Sequence, residues 1–488
     1  MSNDRSVAIK GGFWTSVSTA VTLLATFGRV MILTRFLEKS DFGVVSIINM
    51  VIALCLTFTD LGFASVIMYK QRLTDREFSS LYWIQLLLFS GIYIILWILS
   101  PWVSSFYNEP LLATLIPIAS LSVLFQAVGK LHDSVLQKQY RFKSLAFRNI
   151  ISNLVSLVLA GWMAWKGYGI YSLIYSTLCQ AVILNLWNFV SGYKIQRVIF
   201  AFDWNDTLPL MKIGAYQTGT RILDFFSGKL DVMIIGKLLG TEALGVYDLA
   251  KELVFKFVDF IRTVVAKVAL PILSNNNSDD DSVKRKFLMI TKTVALLCIP
   301  ICITIAVFSK DVVHIVYGEK YLEMSPLVSI FSLVTIITSI SCFFDMLGIA
   351  KGRTDLNFMN TVYRIIITTP IIFLCSHWSI TAVALGQLVA TVVMAIIFWN
   401  VVVRKTYPMS LRLYLSQFNR LLYVMCIIGA IVYIVMNYVD ILQFVDNRIV
   451  HMCLYTILFG VMSISTARVF LLDDIHFLIN LIKRKNKF

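Results

Sequence analysis

The amino-acid sequence predicts an all-α, polytopic membrane protein of about 14 transmembrane helices. Two six-helix lobes, related by a pseudo-two-fold axis, are expected around a central cavity, with two further helices after them. Three observations predict this class. The 488 residues are 58% hydrophobic and only 15% charged, with a mean hydropathy of +0.78. Soluble proteins carry about a quarter charged residues. Apolar runs of spanning length recur along the whole chain. The third observation is an internal repeat, which divides the spans into halves.

The repeat is read without a gap. Residues 10–44 (KGGFWTSVSTAVTLLATFGRVMILTRFLEKSDFGV) align with residues 212–246 (KIGAYQTGTRILDFFSGKLDVMIIGKLLGTEALGV), displaced by 202 positions, with eight identities in 35 columns. Lys10 meets Lys212, Gly12 meets Gly214, Val30 to Ile32 meet Val232 to Ile234, and Gly43 and Val44 meet Gly245 and Val246. A weaker echo follows. Phe142 with Phe147 and Arg148 opens the fifth span, and Phe358 with Tyr363 and Arg364 opens the eleventh. Each half then holds an even number of spans, so both share one membrane orientation and the axis runs along the membrane normal.

A helical span needs about 20 mostly apolar residues. In order, the spans are expected near 13–34, 42–68, 79–100, 111–130, 146–166, 169–190, 213–237, 245–272, 288–308, 324–348, 357–376, 379–400, 417–437 and 450–472. The first carries Arg29 and no small-residue cleavage site follows it, so it reads as a retained span and not as a removable signal. Spans seven and eight are the least apolar, and seven is supported by its twin, span one. Residues 1–190 form the first lobe, 191–212 a cytoplasmic linker, 213–403 the second lobe, and 404–488 the two extra spans with a basic tail. The linker holds Phe200, Phe202 and Trp204 among charges, and suits either a short interfacial helix or a plain tether. Pro117, Pro300, Pro326 and Pro370 are expected to kink spans four, nine, ten and eleven.

Loop charges set the orientation. With the N-terminus inside, the inner segments hold 24 Lys and Arg and the outer ones seven, which places both termini in the cytoplasm. The net charge of +15 is therefore a loop property. No basic patch with interleaved aromatics stands in a soluble region, so nucleic-acid binding is not expected. The eight cysteines all lie in apolar runs and form no CxxC pair, and the five histidines are scattered. Neither a metal site nor a cofactor is expected. All outer loops are short, which argues against a polymerase or ligase with a large external loop, and no covalent chemistry is expected.

Ionisable residues within spans mark wet interiors or partners. In the first half these are Arg29, Asp60 and Arg148; in the second, Arg221, Asp224, Lys229 and Asp231 fall in span seven. Span eight holds Lys251, Glu252, Lys256, Asp259, Arg262 and Lys267, and Asp345 and Arg364 follow in spans ten and eleven. At 100° per residue, the six charges of span eight occupy less than half of the helix. Such helices are expected to line a cationic cavity, with Arg29, Arg221, Lys229, Lys256, Arg262 and Arg364 as the binding cations. Arginine suits a pyrophosphate because its planar donors bind oxygens in pairs at any pH. Asp60, Asp224, Asp231, Glu252, Asp259 and Asp345 are expected to pair with these cations or to couple movement to a Na⁺ or H⁺ gradient. Lys237, Lys267 and Arg148 lie near span ends, where structural ion pairs and snorkelling are the plainer readings.

Particular motifs resemble a known family. Ala8 to Trp14 (AIKGGFW) is followed by R-x-x-x-L-T-R-F-L-x-x-x-D-F-G from Arg29 to Gly43, and then by LQKQYRF at 136–142 and GYGIYSL at 167–173. These resemble the bacterial polysaccharide flippases of the multidrug/oligosaccharidyl-lipid/polysaccharide exporter superfamily, the colanic-acid and teichuronic-acid exporters in particular. The resemblance implies transport of undecaprenyl-pyrophosphate-linked oligosaccharide units by alternating access across the inner membrane, for O-antigen, capsule or exopolysaccharide. It also implies membrane lipids, a polysaccharide polymerase and a chain-length regulator as partners. By helix location, Arg29, Arg221 and Arg262 match the family's pyrophosphate-binding arginines. A cation-coupled multidrug exporter is the alternative, disfavoured by the excess of positive charge in the spans.

Overall fold

Apolar runs of 20 to 30 residues satisfy their backbone internally only as helices in a membrane, and helices are what they form. The computed structural model describes residues 2–59, 63, 67–68, 70, 73–202, 204–273, 280–407 and 409–438. No strand occurs among them. Eleven helical stretches of the described residues are long and apolar enough to cross a membrane. They match spans one to six and nine to thirteen. Spans seven and eight are helices of 35 and 34 residues whose charge keeps them below that apolar threshold. Span fourteen lies outside the described residues, as do Asp60 and Cys453.

The chain divides into two compact units, Met1–Asp248 and Leu249–Phe488. The first contains α1 (Ser2–Leu33), α2 (Lys39–Thr57), α3 (Asp75–Tyr107), α4 (Leu111–Lys138), α5 (Phe142–Trp165), α6 (Tyr171–Tyr193), α7 (Trp204–Leu238) and the first turns of α8 (Gly240–Leu273). Here α1 packs on α5, α4 on α3 and α6, and α2 on α4 and α7. The start of α3 is fixed by a capping box: Thr74 Oγ1 accepts from the Glu77 amide at 3.2 Å, and Glu77 accepts from the Thr74 amide at 3.1 Å. His132 sits fully buried among Phe78, Tyr82 and Phe189, with ring centroids 5.2, 5.7 and 5.2 Å away.

Of the two readings of the linker, residues 194–202 follow the tether, and the remainder from Trp204 opens α7. A turn at residues 194–196 is followed by a non-helical run beside α3. The reason lies in where the backbone bonds go. The Ile199 amide donates to Ser79 Oγ at 2.8 Å, and its carbonyl accepts from Trp83 Nε1 at 3.1 Å. Gln196 Nε2 donates to Asp75 at 2.6 Å. Side chains of α3 thus take the place of helical partners.

The second unit continues α8 and holds α9 (Asp280–Val307), α10 (Ser309–Val316), α11 (Ser325–Ser341), α12 (Phe344–Ala350), α13 (Thr354–Cys375), α14 (Ile380–Phe398), the short α15 (Arg404–Thr406) and α16 (Leu411–Tyr438). A 3₁₀ turn, Glu319–Met324, precedes α11, and a π-helical turn, Trp399–Val403, follows α14. The core is built on stacked rings: Tyr414 lies 4.7 Å from Trp399, 5.0 Å from Phe418 and 5.6 Å from Phe344. Pro117, Pro300 and Pro370 sit inside continuous helices. Pro326 instead starts α11, where a missing N–H costs nothing, and is no kink.

Candidate functional site

The predicted charges are best described unit by unit. Arg29 sits half-buried on α1. Its Nη1 donates to Ser156 Oγ at 3.0 Å and to Gln180 Oε1 at 3.4 Å. These partners are themselves tied: Gln180 Nε2 donates to Asn153 Oδ1 at 3.1 Å, and Ser156 Oγ donates to the Ser176 carbonyl at 2.8 Å. Asn153 Nδ2 reaches the Asn149 carbonyl at 2.8 Å and Thr22 Oγ1 at 3.4 Å. A polar seam therefore runs between α1, α5 and α6, with a guanidinium at its end. The sequence reading found Arg29 and missed the seam. Its signal was present in the helical spacing of Thr15, Thr19, Thr22 and Thr26 on α1 and of Asn149, Asn153 and Ser156 on α5.

Arg148 is nearly buried and pairs with Asp133 at 2.7 Å. It also donates to Asn188 and to Asn149, the latter at 3.0 Å. Every donor face of the fork is engaged, so Arg148 is a structural tie between α4, α5 and α6. Lys237 donates to the Phe106 carbonyl at 2.5 Å and lies 4.8 Å over its ring. On α7, Arg221 is half-buried, while Asp224 and Lys229 are exposed. Asp231 is 5% exposed and accepts from Tyr247 Oη at 3.1 Å.

In the second unit, α8 buries Leu253, Val254 and Val258 and leaves Asp259 and Arg262 exposed. Glu252 and Lys256 form an ion pair one turn apart. A second constellation forms where span ten is broken between α11 and α12. Ser339, Ser341 and Cys342 each bond back to a carbonyl three or four residues earlier, at 2.7, 3.1 and 3.2 Å. Such back-bonding competes with the helical ladder and bends it. Asp345 then stands in the first turn of α12, accepting from the Met346 amide at 2.9 Å. The charges of Arg262 and Arg364 both act on its carboxylate. Three predicted residues from three spans thus lie within electrostatic reach of one another, two cations and one anion. The Asp345 carbonyl is also held, by Asn357 Nδ2 at 3.0 Å.

No group of three or more metal-ligating side chains occurs among the described residues. The described cysteines are free thiols, with Cys298 and Cys302 fully buried. The guanidinium of Arg29 thus lies beside hydroxyl and amide partners in one unit, and in the other the charges of Arg262 and Arg364 are within electrostatic reach of one carboxylate.

Residues 32–326 match the sequence profile of the family described as polysaccharide biosynthesis protein. The chain belongs to that family. This polysaccharide biosynthesis family member is 28% identical to the teichuronic acid biosynthesis protein TuaB of Bacillus subtilis (strain 168), over 72% of each chain. It is 23% identical to the lipopolysaccharide biosynthesis protein WzxC of Escherichia coli (strain K12), over 84% of each chain. Among solved structures, the fold is similar to the lipid II flippase MurJ in its inward closed conformation. The TM-score is 0.72 at 15% identity, covering 96% of this chain and all of that one. An inward-facing multidrug resistance transporter of the MATE family and MOP superfamily follows at a TM-score of 0.62 and 13% identity, over 79% of this chain and 94% of that one. The family member is thus a multi-pass helical membrane protein with the architecture of these transporters.

Proposed function

We propose that this chain is a flippase that moves undecaprenyl-pyrophosphate-linked oligosaccharide units across the bacterial cytoplasmic membrane for surface polysaccharide synthesis. The observation that carries the reading is the family match over residues 32–326, joined to relatives named for polysaccharide biosynthesis over most of their length. Its cargo class follows from chemistry: a pyrophosphate diester is a compact anion, and arginine is its best-matched side chain. Arg29, Arg221 and Arg262 are assigned to the pyrophosphate, with Lys229, Lys256 and Arg364 as supporting cations. Asp60, Asp224, Asp231, Glu252, Asp259 and Asp345 serve as pairing carboxylates or as the coupling groups for a Na⁺ or H⁺ gradient. Carriage, with no covalent step, is the assigned activity. Both termini face the cytoplasm in this reading, as the loop charges favour. A polymerase and a chain-length regulator would receive the product on the far side.

The test is mass spectrometry of lipid extracts from cells lacking this chain, beside a stain for surface polymer. Accumulation of single lipid-linked repeat units with loss of polymer is the expected result, and the mass of the unit names the sugar. An unchanged lipid pool and polymer would sink the reading. The likeness to multidrug transporters keeps drug export as the second reading. A broadened drug-resistance spectrum on expression, with normal polymer on deletion, is its signature.

A further inference from the structure

Within the first unit, the two copies of the repeat touch each other at equivalent positions. Ser46 Oγ donates a hydrogen bond to Asp248 Oδ2, and these residues are 202 positions apart. That is the displacement of the repeat itself, so the pair consists of one position and its own counterpart. The glycines beside it tell the same story independently. A Cβ on Gly43 would run into the Thr241 carbonyl oxygen, and a Cβ on Gly245 would run into the Lys39 carbonyl oxygen. The repeat converts Gly43 into Gly245 and Lys39 into Thr241. The two close approaches are therefore one contact seen from both sides. A local two-fold axis passes between Ser46 and Asp248, where α2 crosses the first turns of α8.

A pair on such an axis has a constraint no other pair has. Two identical side chains there would face each other: two carboxylates would repel unless one took a proton, and two hydroxyls would make only a weak neutral bond. One hydroxyl and one carboxylate give a charge-assisted bond, the strong kind. The backbones beside it meet through glycine, and Ile47 and Leu244 are buried next to the crossing, both lying against Gly236. Transporters built from repeats work by moving one repeat against the other, and a polar bond on the axis between the copies lies where that movement must act.

We infer that Ser46 and Asp248 form an on-axis latch between the two copies of the repeat, made in this conformation and broken once in every transport cycle. They are positioning residues, since neither needs to touch cargo. The inference rests on the transport reading above. It has a consequence that a cargo-binding or ion-coupling role for Asp248 lacks: the two residues are interchangeable.

The experiment compares Ser46→Asp, Asp248→Ser and the exchange Ser46→Asp/Asp248→Ser in cells lacking the native chain. Surface polymer is measured per chain present in the membrane. Ser46→Asp is expected to lower export at least tenfold, and the exchange to return at least half of it. A fourth variant, Ser46→Cys/Asp248→Cys, is bridged with a mild oxidant. Export is expected to stop while the bridge stands and to resume on reduction, whereas a merely structural contact tolerates bridging. An exchange variant as inactive as Ser46→Asp at normal abundance overturns the inference, and so does export that continues through complete bridging. Failure of the transport reading shows separately, as a normal lipid-linked pool in cells without the chain. In that case the latch falls with the transport reading, and thermal unfolding of the purified variants decides the pairing alone: a melting temperature lowered by Ser46→Asp and restored by the exchange upholds the contact, and one not restored overturns it.

Discussion

Arg29 and Arg148 are both arginines within apolar spans, and their surroundings separate their tasks. Arg148 has a carboxylate at 2.7 Å and amide oxygens on both sides, and is nearly buried. Removing Arg148 leaves the half-buried Asp133 and the Asn188 amide oxygen without their donor, at a cost of about 1–3 kcal/mol. Arg148→Gln should therefore lower the unfolding temperature and the amount of chain in the membrane, with export per chain little changed. Normal stability would show the tie to be dispensable. Arg29 donates to a hydroxyl and an amide oxygen, and these two bonds orient the guanidinium. Arg29→Gln should cut export about tenfold or more, as for loss of a charge-assisted contact worth roughly 1.5–3 kcal/mol, with abundance near normal. Arg29→Lys should recover only part of it, because ammonium lacks the paired planar donors. Full recovery by lysine would mean that the charge alone matters. Around Asp345, the two arginines make a further prediction. Arg262→Gln and Asp345→Asn should be non-additive in unfolding free energy by more than about 0.5 kcal/mol, the usual scatter for independent sites. Additive effects would remove the constellation. The sequence marked all of these charges, because a charge in an apolar run is conspicuous. It did not say which met, because Arg262, Asp345 and Arg364 lie on three spans.

The helices themselves were largely legible. Their lengths follow from membrane thickness, and apolar runs reveal them. Spans seven and eight were found through the repeat and their phase, and both are continuous helices. Less legible was the interruption of span ten. Its apolar run is unbroken in sequence, and the break at Cys342 and Phe343 falls beside hydroxyl and thiol groups that turn back onto carbonyls. The sequence left the linker open between a helix and a tether for a related reason, since its backbone partners belong to α3, more than a hundred residues earlier. At this scale the aromatic stack sets a stability test. Trp399 is 1% exposed and lies against Phe344 and Tyr414. Trp399→Ala should destabilise the second unit by about 3–5 kcal/mol, as for other large core truncations. Thermal unfolding of the purified protein is the check, and a change under about 1 kcal/mol would show that the site collapses around the loss.

For the whole molecule, the sequence by itself determined the class, the number of described spans, the repeat and the family. Each of these depends on composition, on periodicity or on patterns read along the chain, and none needs a distance between remote residues. Its expectation of a kink at Pro326 failed because proline acts differently at a helix start and in a helix interior, and the expected start of span ten at 324 already placed Pro326 in the first turn. Only the tertiary structure decided that Arg29 ends a polar seam, that Arg148 is a tie, and that Ser46 meets Asp248. Eight identities in 35 columns indicate a duplication. They do not say that the copies touch, nor where the axis falls. That depends on two glycines letting backbones approach within reach of one hydrogen bond, and such an approach is a property of packed helices in space.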